Sequence, residues 1–170
     1  MRLTDISAFV LVFCLAFSIA LVLVPVARWL SYRVGAISTP GGRRHEREPM
    51  PKLGGLAIFV AFVVAILFAQ LLPVPRLDPN EGIRLTGLIL GSAFCFVFWT
   101  LDDIYEFGWL PQYIAQIVAG AIAILFLIFI EFFNNPLTGS QTDPFPFLVT
   151  VTLSLFWVGL MMNTVNFLDG

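Results

Sequence analysis

The sequence predicts an all-α polytopic membrane protein with five transmembrane helices. Only 12% of the 170 residues are charged, about half the share found in soluble domains. Hydrophobic residues make up 59% and gather in five long runs, separated by short segments rich in charge or in turn formers. Because a helix needs about 20 apolar residues to cross a bilayer, we expect one transmembrane domain covering residues 1–170. Its expected spans are 6–28, 53–72, 85–101, 112–131 and 146–165.

The first run is long enough to be a true span, since Asp5 and Arg28 bracket 22 residues without charge. A cleaved signal peptide, the alternative, has a shorter apolar region and a more basic start. Six of the nine Lys and Arg residues then follow in one loop. They are Arg28, Arg33, Arg43, Arg44, Arg47 and Lys52. The positive-inside rule places this loop in the cytoplasm, so we expect the N-terminus outside and the C-terminus in the cytoplasm.

The remaining loops fit that orientation. Segments 72–84 and 134–144, which fall outside, are short and rich in Pro, Asn and Gly. Three polar clusters fall together on the cytoplasmic side: the basic loop, the pair Asp102-Asp103, and the amide and acidic residues after Asn163. Lys and Arg alone set the orientation, so the grouping of the other two clusters is independent support for one cytoplasm-facing site.

The first cluster is the pair Asp102-Asp103 at the end of the third span. Adjacent carboxylates at a low-dielectric boundary repel each other, and a divalent cation compensates that repulsion. Mg²⁺ takes one or two carboxylates and completes its shell with substrate phosphates and waters. The alternative is a solvated helix end without a ligand.

The second cluster ends the fifth span, as Asn163-x-x-Asn166-x-x-Asp169-Gly170. Helical residues three apart share a face, so the three polar side chains form one stripe. Polar side chains in a span are costly unless they bind something: the amides suit phosphate or base groups, and Asp169 suits the metal. Alternatively, the amides bond another helix, which fits Asn163 better than Asp169.

The third cluster is the loop from Pro40 to Gly55, whose prolines and glycines predict a shaped loop. Its cations Arg43, Arg44, Arg47 and Lys52 suit phosphate groups. His45 is the only histidine, so phosphate contact or simple exposure is favoured over metal ligation. The alternative is ordinary positive-inside charge. The basic residues are few and most lie in one membrane-flanking loop, so the sequence has no nucleic-acid signature. Cys14 and Cys95 lie in separate apolar runs, so it has no disulfide or zinc pattern either.

A carboxylate–magnesium site, a basic loop and a membrane scaffold are what phosphoryl transfer from a soluble nucleotide to a lipid requires. The same residues resemble the polyprenyl-phosphate N-acetylhexosamine-1-phosphate transferases over about Val34 to Gly170. Three motifs carry the resemblance in the family's order: Pro49-x-Pro51-x-Leu53-Gly54-Gly55, Leu101-Asp102-Asp103-Ile104-Tyr105-Glu106, and Asn163-x-x-Asn166-Phe167-x-Asp169-Gly170. The first is more similar to the undecaprenyl-phosphate GlcNAc-1-phosphate branch than to the muramoyl-pentapeptide branch.

The resemblance implies a bacterial cytoplasmic-membrane enzyme that opens the synthesis of a cell-envelope polysaccharide. A polyprenyl phosphate attacks the β-phosphorus of a UDP-N-acetylhexosamine, and UMP leaves. The expected cofactor is Mg²⁺ (or Mn²⁺). The resemblance leaves open whether the enzyme is a homodimer. Asp102 and Asp103 are then the catalytic pair, and Asp169 with Asn166 belongs to the metal and nucleotide site. Because a phosphate monoester is largely ionised at neutral pH, the aspartates favour metal binding and electrostatic positioning over base catalysis.

Some positions depart from the family's pattern. Ser38 and Gln112 stand where Asp and Lys are usual, and His45 stands one residue early. Family members have about twice as many spans, so the chain is expected to be an N-terminal half that is inactive alone. Rival interpretations are a phospho-N-acetylmuramoyl-pentapeptide transferase, a CDP-alcohol phosphotransferase, a transporter fragment and a small regulatory subunit. A transporter would place its acidic residues near the bilayer midplane.

Overall fold

The computed structural model describes residues 3–38 and 49–169, with side chains for residues 6–38 and 49–168. Helices dominate this part of the chain, which confirms the mostly helical class. They are α1 (Leu3–Val34), α2 (Gly55–Ala69), α3 (Glu81–Tyr105), α4 (Trp109–Leu125) and α5 (Phe147–Asp169). Two short strands, β1 (Ile37–Ser38) and β2 (Met50–Pro51), lie between α1 and α2.

Three of these helices are long and apolar enough to cross a membrane. The candidate spans are Ile6–Val34, Glu81–Tyr105 and Phe147–Leu168. The other two apolar helices are shorter, 15 residues in α2 and 17 in α4. At 1.5 Å per residue they reach roughly 22 and 26 Å, less than a hydrocarbon core of about 30 Å. The chain is therefore a helical membrane protein, and the count of five spans stays a prediction.

The described contacts group into two compact units. The first unit comprises Met1–Asp78 and Phe96–Glu106, and the second comprises Pro79–Cys95 and Phe107–Gly170. Helix α3 thus contributes its first part to the second unit and its last part to the first. The sequence predicts one transmembrane domain and no separate soluble domain. It does not predict this division into two units.

In the first unit, α1 and α2 pack closely because the residues between them are small. Ala57, Ala61 and Ala65 recur once per turn of α2, and all three are buried. On α1, Ala27 and Ser31 are buried as well. Small side chains let helix backbones approach closely in a membrane, where van der Waals contact drives association. Phe59 of α2 also stacks on Phe96 of α3, with ring centroids 4.5 Å apart.

The strands β1 and β2 form an antiparallel pair, which the all-helical prediction did not include. Ile37 pairs with Pro51 and Ser38 with Met50. The pair satisfies backbone groups where the chain leaves α1 and where it returns towards α2. It therefore brings Ser38 and Met50 side by side, one on each side of the basic segment 39–48 in the chain.

In the second unit, α4 ends earlier than its apolar run does. The predicted span reached residue 131, whereas the helix stops at Leu125. The Ile128 N–H donates to the Ala123 carbonyl at 2.8 Å and the Leu127 N–H to the Ile124 carbonyl at 3.0 Å. With Leu127 at φ 60°, these bonds form a Schellman motif that closes the helix. Apolar composition alone does not reveal such a stop, because Leu rarely takes this conformation.

Two tight contacts hold the second unit together. Gly87 of α3 lies against Phe126, and a Cβ at this glycine would overlap the phenylalanine side chain. Gly120 of α4 lies against Leu155 of α5, where an added Cβ would be 2.7 Å from Leu155 Cδ2. Both glycines are buried, and their missing side chains make room for larger neighbours.

Candidate active site

The aspartate pair lies in the last turn of α3, as the sequence predicted for a helix end. Both Asp102 and Asp103 are half-buried. Consecutive helical residues point about 100° apart, so the two carboxylates leave the helix in different directions. Each aspartate therefore has its own set of neighbours.

The carboxylates at this end of α3 suit a Mg²⁺ ion whose remaining ligands come from substrate phosphates and water. Among the described residues, no group of three or more His, Cys, Asp and Glu side chains is close enough to hold a metal by itself. Mg²⁺ does not need such a cage, because one or two carboxylates suffice when phosphates and waters supply the other ligands. Asp102 and Asp103 offer such carboxylates, and their partial exposure leaves room for a phosphate-bearing ligand. The side chain of Asp169, the third predicted ligand, lies outside the described side chains.

Lys52 contacts the end of α3 directly. Its ammonium donates to the Asp103 carbonyl oxygen at 3.1 Å and to Glu106 Oε1 at 3.2 Å. The lysine side chain is only 15% exposed, whereas that of Glu106 is 73% exposed. A cation at a helix C-terminus is stabilised by the unpaired carbonyls and by the helix dipole. Lys52 thus joins the end of the basic loop to the aspartate-bearing turn, while its predicted contact with substrate stays a prediction.

The backbone around Lys52 explains how its side chain reaches α3. The Lys52 N–H donates to the Ala36 carbonyl at 3.0 Å, which extends the β1–β2 pairing. The next N–H, that of Leu53, donates to Ser31 Oγ at 3.1 Å. The Ser31 hydroxyl donates in turn to the Ala27 carbonyl at 2.9 Å and is fully buried. The strand pair and this serine together fix the direction in which Lys52 leaves the backbone.

Four other predicted site residues of the basic loop lie outside the described residues. They are Arg43, Arg44, His45 and Arg47. Their role in binding phosphate stays a prediction. The structure adds that the residues flanking them, Ser38 and Met50, are paired in register.

The stripe on α5 begins with a residue that is already bonded to another helix. Asn163 and Gln116 of α4 exchange two hydrogen bonds: Gln116 Nε2 donates to Asn163 Oδ1 at 3.0 Å, and Asn163 Nδ2 donates to Gln116 Oε1 at 2.8 Å. Asn163 Nδ2 also donates to the Gly159 carbonyl at 2.8 Å. The interhelical alternative for Asn163 is therefore present in the structure. Asn166, one turn further, is exposed, and α5 continues to Asp169.

Sequence reasoning missed Gln116. It is the partner of Asn163 and is only 7% exposed. A usable signal was present, since an uncharged polar residue within an apolar helix usually bonds another helix. The sequence could not identify the partner, because the two residues lie 47 positions apart.

These features define a helical membrane protein with carboxylates at one helix end and an amide–acid stripe at another. The chain belongs to the glycosyl transferase family 4, whose model matches residues 85–170. The matched range contains the aspartate pair and the whole α5 stripe.

The curated relatives are similar over most of this chain. A probable undecaprenyl-phosphate N-acetylglucosaminyl 1-phosphate transferase of Bacillus subtilis is 24% identical over 162 residues, which is 95% of this chain and 42% of that protein. A decaprenyl-phosphate N-acetylglucosaminephosphotransferase of Mycolicibacterium smegmatis is 24% identical over 84% of this chain and 35% of that protein. The Mycobacterium tuberculosis protein of the same name is 25% identical over the same shares. The chain therefore spans less than half the length of these relatives. No solved structure matches it significantly.

Proposed function

We propose that the protein containing this chain transfers N-acetylglucosamine 1-phosphate from a UDP-sugar to a polyprenyl phosphate, with release of UMP. The membership of residues 85–170 in the glycosyl transferase family 4 is the observation that carries the proposal. The names of the relatives support the sugar and the lipid class. The half-buried aspartate pair at the end of an apolar helix supports the proposal as well, because phosphoryl transfer depends on metal ions that carboxylates hold near the phosphates.

The bond changes of the proposed reaction are simple. A phosphate oxygen of the polyprenyl phosphate attacks the β-phosphorus of the UDP-sugar, and the bond from that phosphorus to the bridging oxygen breaks. The bridging oxygen leaves with UMP, and the sugar phosphate becomes part of a diphosphate. Since the attacking phosphate is largely ionised at neutral pH, little proton removal is needed.

The residues of this chain orient the reactants in the proposal. Asp102 and Asp103, with Asp169, hold Mg²⁺ (or Mn²⁺), which when bound neutralises charge on the diphosphate. Asn166 and the loop residues Arg43, Arg44, His45 and Arg47 bind the nucleotide and its phosphates.

We further propose that this site faces the cytoplasm of a bacterial inner membrane. The basic loop between α1 and α2 supports this side through the positive-inside rule. Single cysteines test the proposal in cells when Cys14 and Cys95 are replaced by Ala. An impermeant thiol reagent should label Leu77→Cys, which is 93% exposed between α2 and α3, and should spare Met50→Cys, which is 52% exposed. The reverse pattern would invert the topology.

The activity test uses membranes that express the complete coding sequence containing these residues. UMP release is measured with UDP-N-acetylglucosamine and undecaprenyl phosphate. Asp102→Asn should lower turnover at least about 100-fold, because such electrostatic contacts in transition states are worth that much. Asp143→Asn, in an exposed loop of the second unit, is the matched control and should keep wild-type turnover.

Other outcomes would replace the proposal with its alternatives. UMP release with UDP-N-acetylmuramoyl-pentapeptide but not with UDP-N-acetylglucosamine would favour the muramoyl-pentapeptide transferase. Near-wild-type turnover in Asp102→Asn would remove the metal role of this aspartate. No UMP release from either UDP-sugar would favour a non-enzymatic membrane protein.

A further inference from the structure

The amide of Gln116 is buried in an otherwise apolar part of α4, and its hydrogen-bond partner is on α5. Gln116 is 7% exposed, and both its Nε2 and its Oε1 atoms form hydrogen bonds with Asn163. A buried amide without hydrogen-bond partners destabilises the folded protein, whereas one with partners holds them in a defined direction. The pair therefore favours one relative position of the two helices strongly over others.

Asn163 uses both hydrogens of its amide within the protein. One Nδ2 hydrogen goes to Gln116 Oε1 and the other to the Gly159 carbonyl, one turn earlier on α5. A Cβ at Gly159 would be 3.7 Å from Gln116 Oε1, an ordinary contact, so the amide pair packs directly against this turn of α5. With its donors engaged in this way, Asn163 acts as an interhelical contact rather than as a donor to nucleotide.

The pair stands directly before the exposed part of the stripe. Asn166 follows Asn163 by three residues and Asp169 by six, so the rotation of α5 at Asn163 decides where the rest of the stripe faces. A slip of one residue would turn the stripe by about 100°. Close packing of Gly120 on Leu155 lies one turn along α4 from Gln116 and limits sliding of α5.

We propose that Gln116 is a positioning residue that sets the rotation of α5 through Asn163, so that Asn166 and Asp169 face the phosphate-bearing substrate. This inference rests on the proposed function for its second half only. The rotation of α5 is a structural property that can be measured without turnover.

The first experiment measures rotation. In the complete protein with Cys14 and Cys95 replaced by Ala, single cysteines are introduced at each position from 164 to 168. All five positions are exposed in this structure, so their labelling rates by a soluble maleimide report which of them face water rather than lipid or another helix in the complete protein. Gln116→Leu should shift the labelled face, and the exchange Gln116→Asn with Asn163→Gln should restore it. Thr164→Val is the matched control, since its hydroxyl donates within α5 to the Leu160 carbonyl.

The second experiment measures turnover in the same Gln116 and Asn163 variants without introduced cysteines. Gln116→Leu should lower kcat about tenfold, because the two hydrogen bonds that orient α5 are lost and the stripe is no longer held towards the substrate. The exchange should recover most of kcat. Gln116→Glu keeps the size of the side chain but replaces the Nε2 donor, and it should also lower kcat. This variant takes the place of Gln116→Leu if the leucine variant is not recovered from membranes.

The outcomes separate the two halves of the inference. An unchanged labelling pattern in Gln116→Leu or Gln116→Glu would overturn the positioning role, whatever the turnover. A shifted pattern with unchanged kcat would overturn the link to the substrate. A shifted pattern in a protein whose wild type releases no UMP would uphold the positioning role and remove the proposed function.

Discussion

The two units join their helices by different means. In the first unit, alanines of α2 face α1 and the polar contact is a serine hydroxyl bonded to backbone. In the second unit, glycines admit large side chains. A buried serine, Ser154, bonds backbone there too, and the contact without a counterpart in the first unit joins two side-chain amides. The predicted site residues follow this division: Lys52 contacts the aspartate turn at a partly exposed edge, whereas Asn163 is bonded to a buried glutamine.

The difference indicates where each half tolerates change. In the first unit, buried alanines let two helix backbones approach closely, so a group added there would have to push the helices apart. Where a glycine accommodates a large side chain, an added carbon meets an atom that is already in place. We therefore expect both units to lose stability on a small addition at their buried Ala or Gly positions, and each to be tested at one position where the contact is defined.

The largest expected effect on stability comes from Gly87→Ala. The new Cβ would overlap Phe126, so the phenylalanine or the helix must shift at a cost of about 1–3 kcal/mol. Gly91→Ala is the matched control, because its Cβ would be 3.7 Å from Ile122 Cγ2, an ordinary contact. Thermal unfolding of the detergent-solubilised protein compares the two. Equal stabilities would contradict the close packing assigned to the second unit.

Ser31→Ala tests the polar contact of the first unit. The variant leaves the Leu53 N–H without its acceptor in a buried position, which costs about 1–2 kcal/mol. Ser18→Ala, on an exposed face of the same helix, should change little. The unfolding midpoint in detergent decides between them. If both serines prove equally dispensable, the first unit depends on alanine packing alone.

Lys52→Met should have a smaller effect than Ser31→Ala. The methionine keeps much of the buried stem but loses the bonds to Asp103 and Glu106, which are worth about 0.5–1 kcal/mol at a helix end partly open to water. Lys52→Arg keeps the charge and should retain most of the stability. A loss in the methionine variant that high salt fails to reduce would show that the contact is not chiefly electrostatic.

The smallest expected effect has the opposite sign. Glu106 has φ 51°, a conformation that costs a non-glycine residue about 1 kcal/mol, and its side chain is largely exposed. Glu106→Gly removes this strain and an exposed ion pair of little value, so stability should rise by about 0.5 kcal/mol after the entropy of glycine is counted. Glu106→Ala removes the same ion pair without relieving φ and should not stabilise. A destabilised glycine variant would give the ion pair more weight than the strain.

Much of the candidate site could be predicted from local patterns. The aspartate pair was recognised because two carboxylates at the end of an apolar run are unusual, and the stripe on α5 because its residues recur at helical spacing. Lys52 was recognised as a cation in a basic loop, but its contact with Asp103 was not, since 51 residues separate the two. Gln116 was missed because its partner belongs to another helix.

The sequence by itself determined the helical membrane class and the order of its helices, and it predicts which residues bind metal and phosphate. These properties follow from composition and short-range spacing, which act through burial in lipid and through helical periodicity. Only the tertiary structure decided that α4 ends at Leu125, that β1 pairs with β2, and that Gln116 bonds Asn163. These contacts join residues distant in sequence, and they depend on which helices approach closely enough for a small residue, a hydroxyl or an amide to meet its partner.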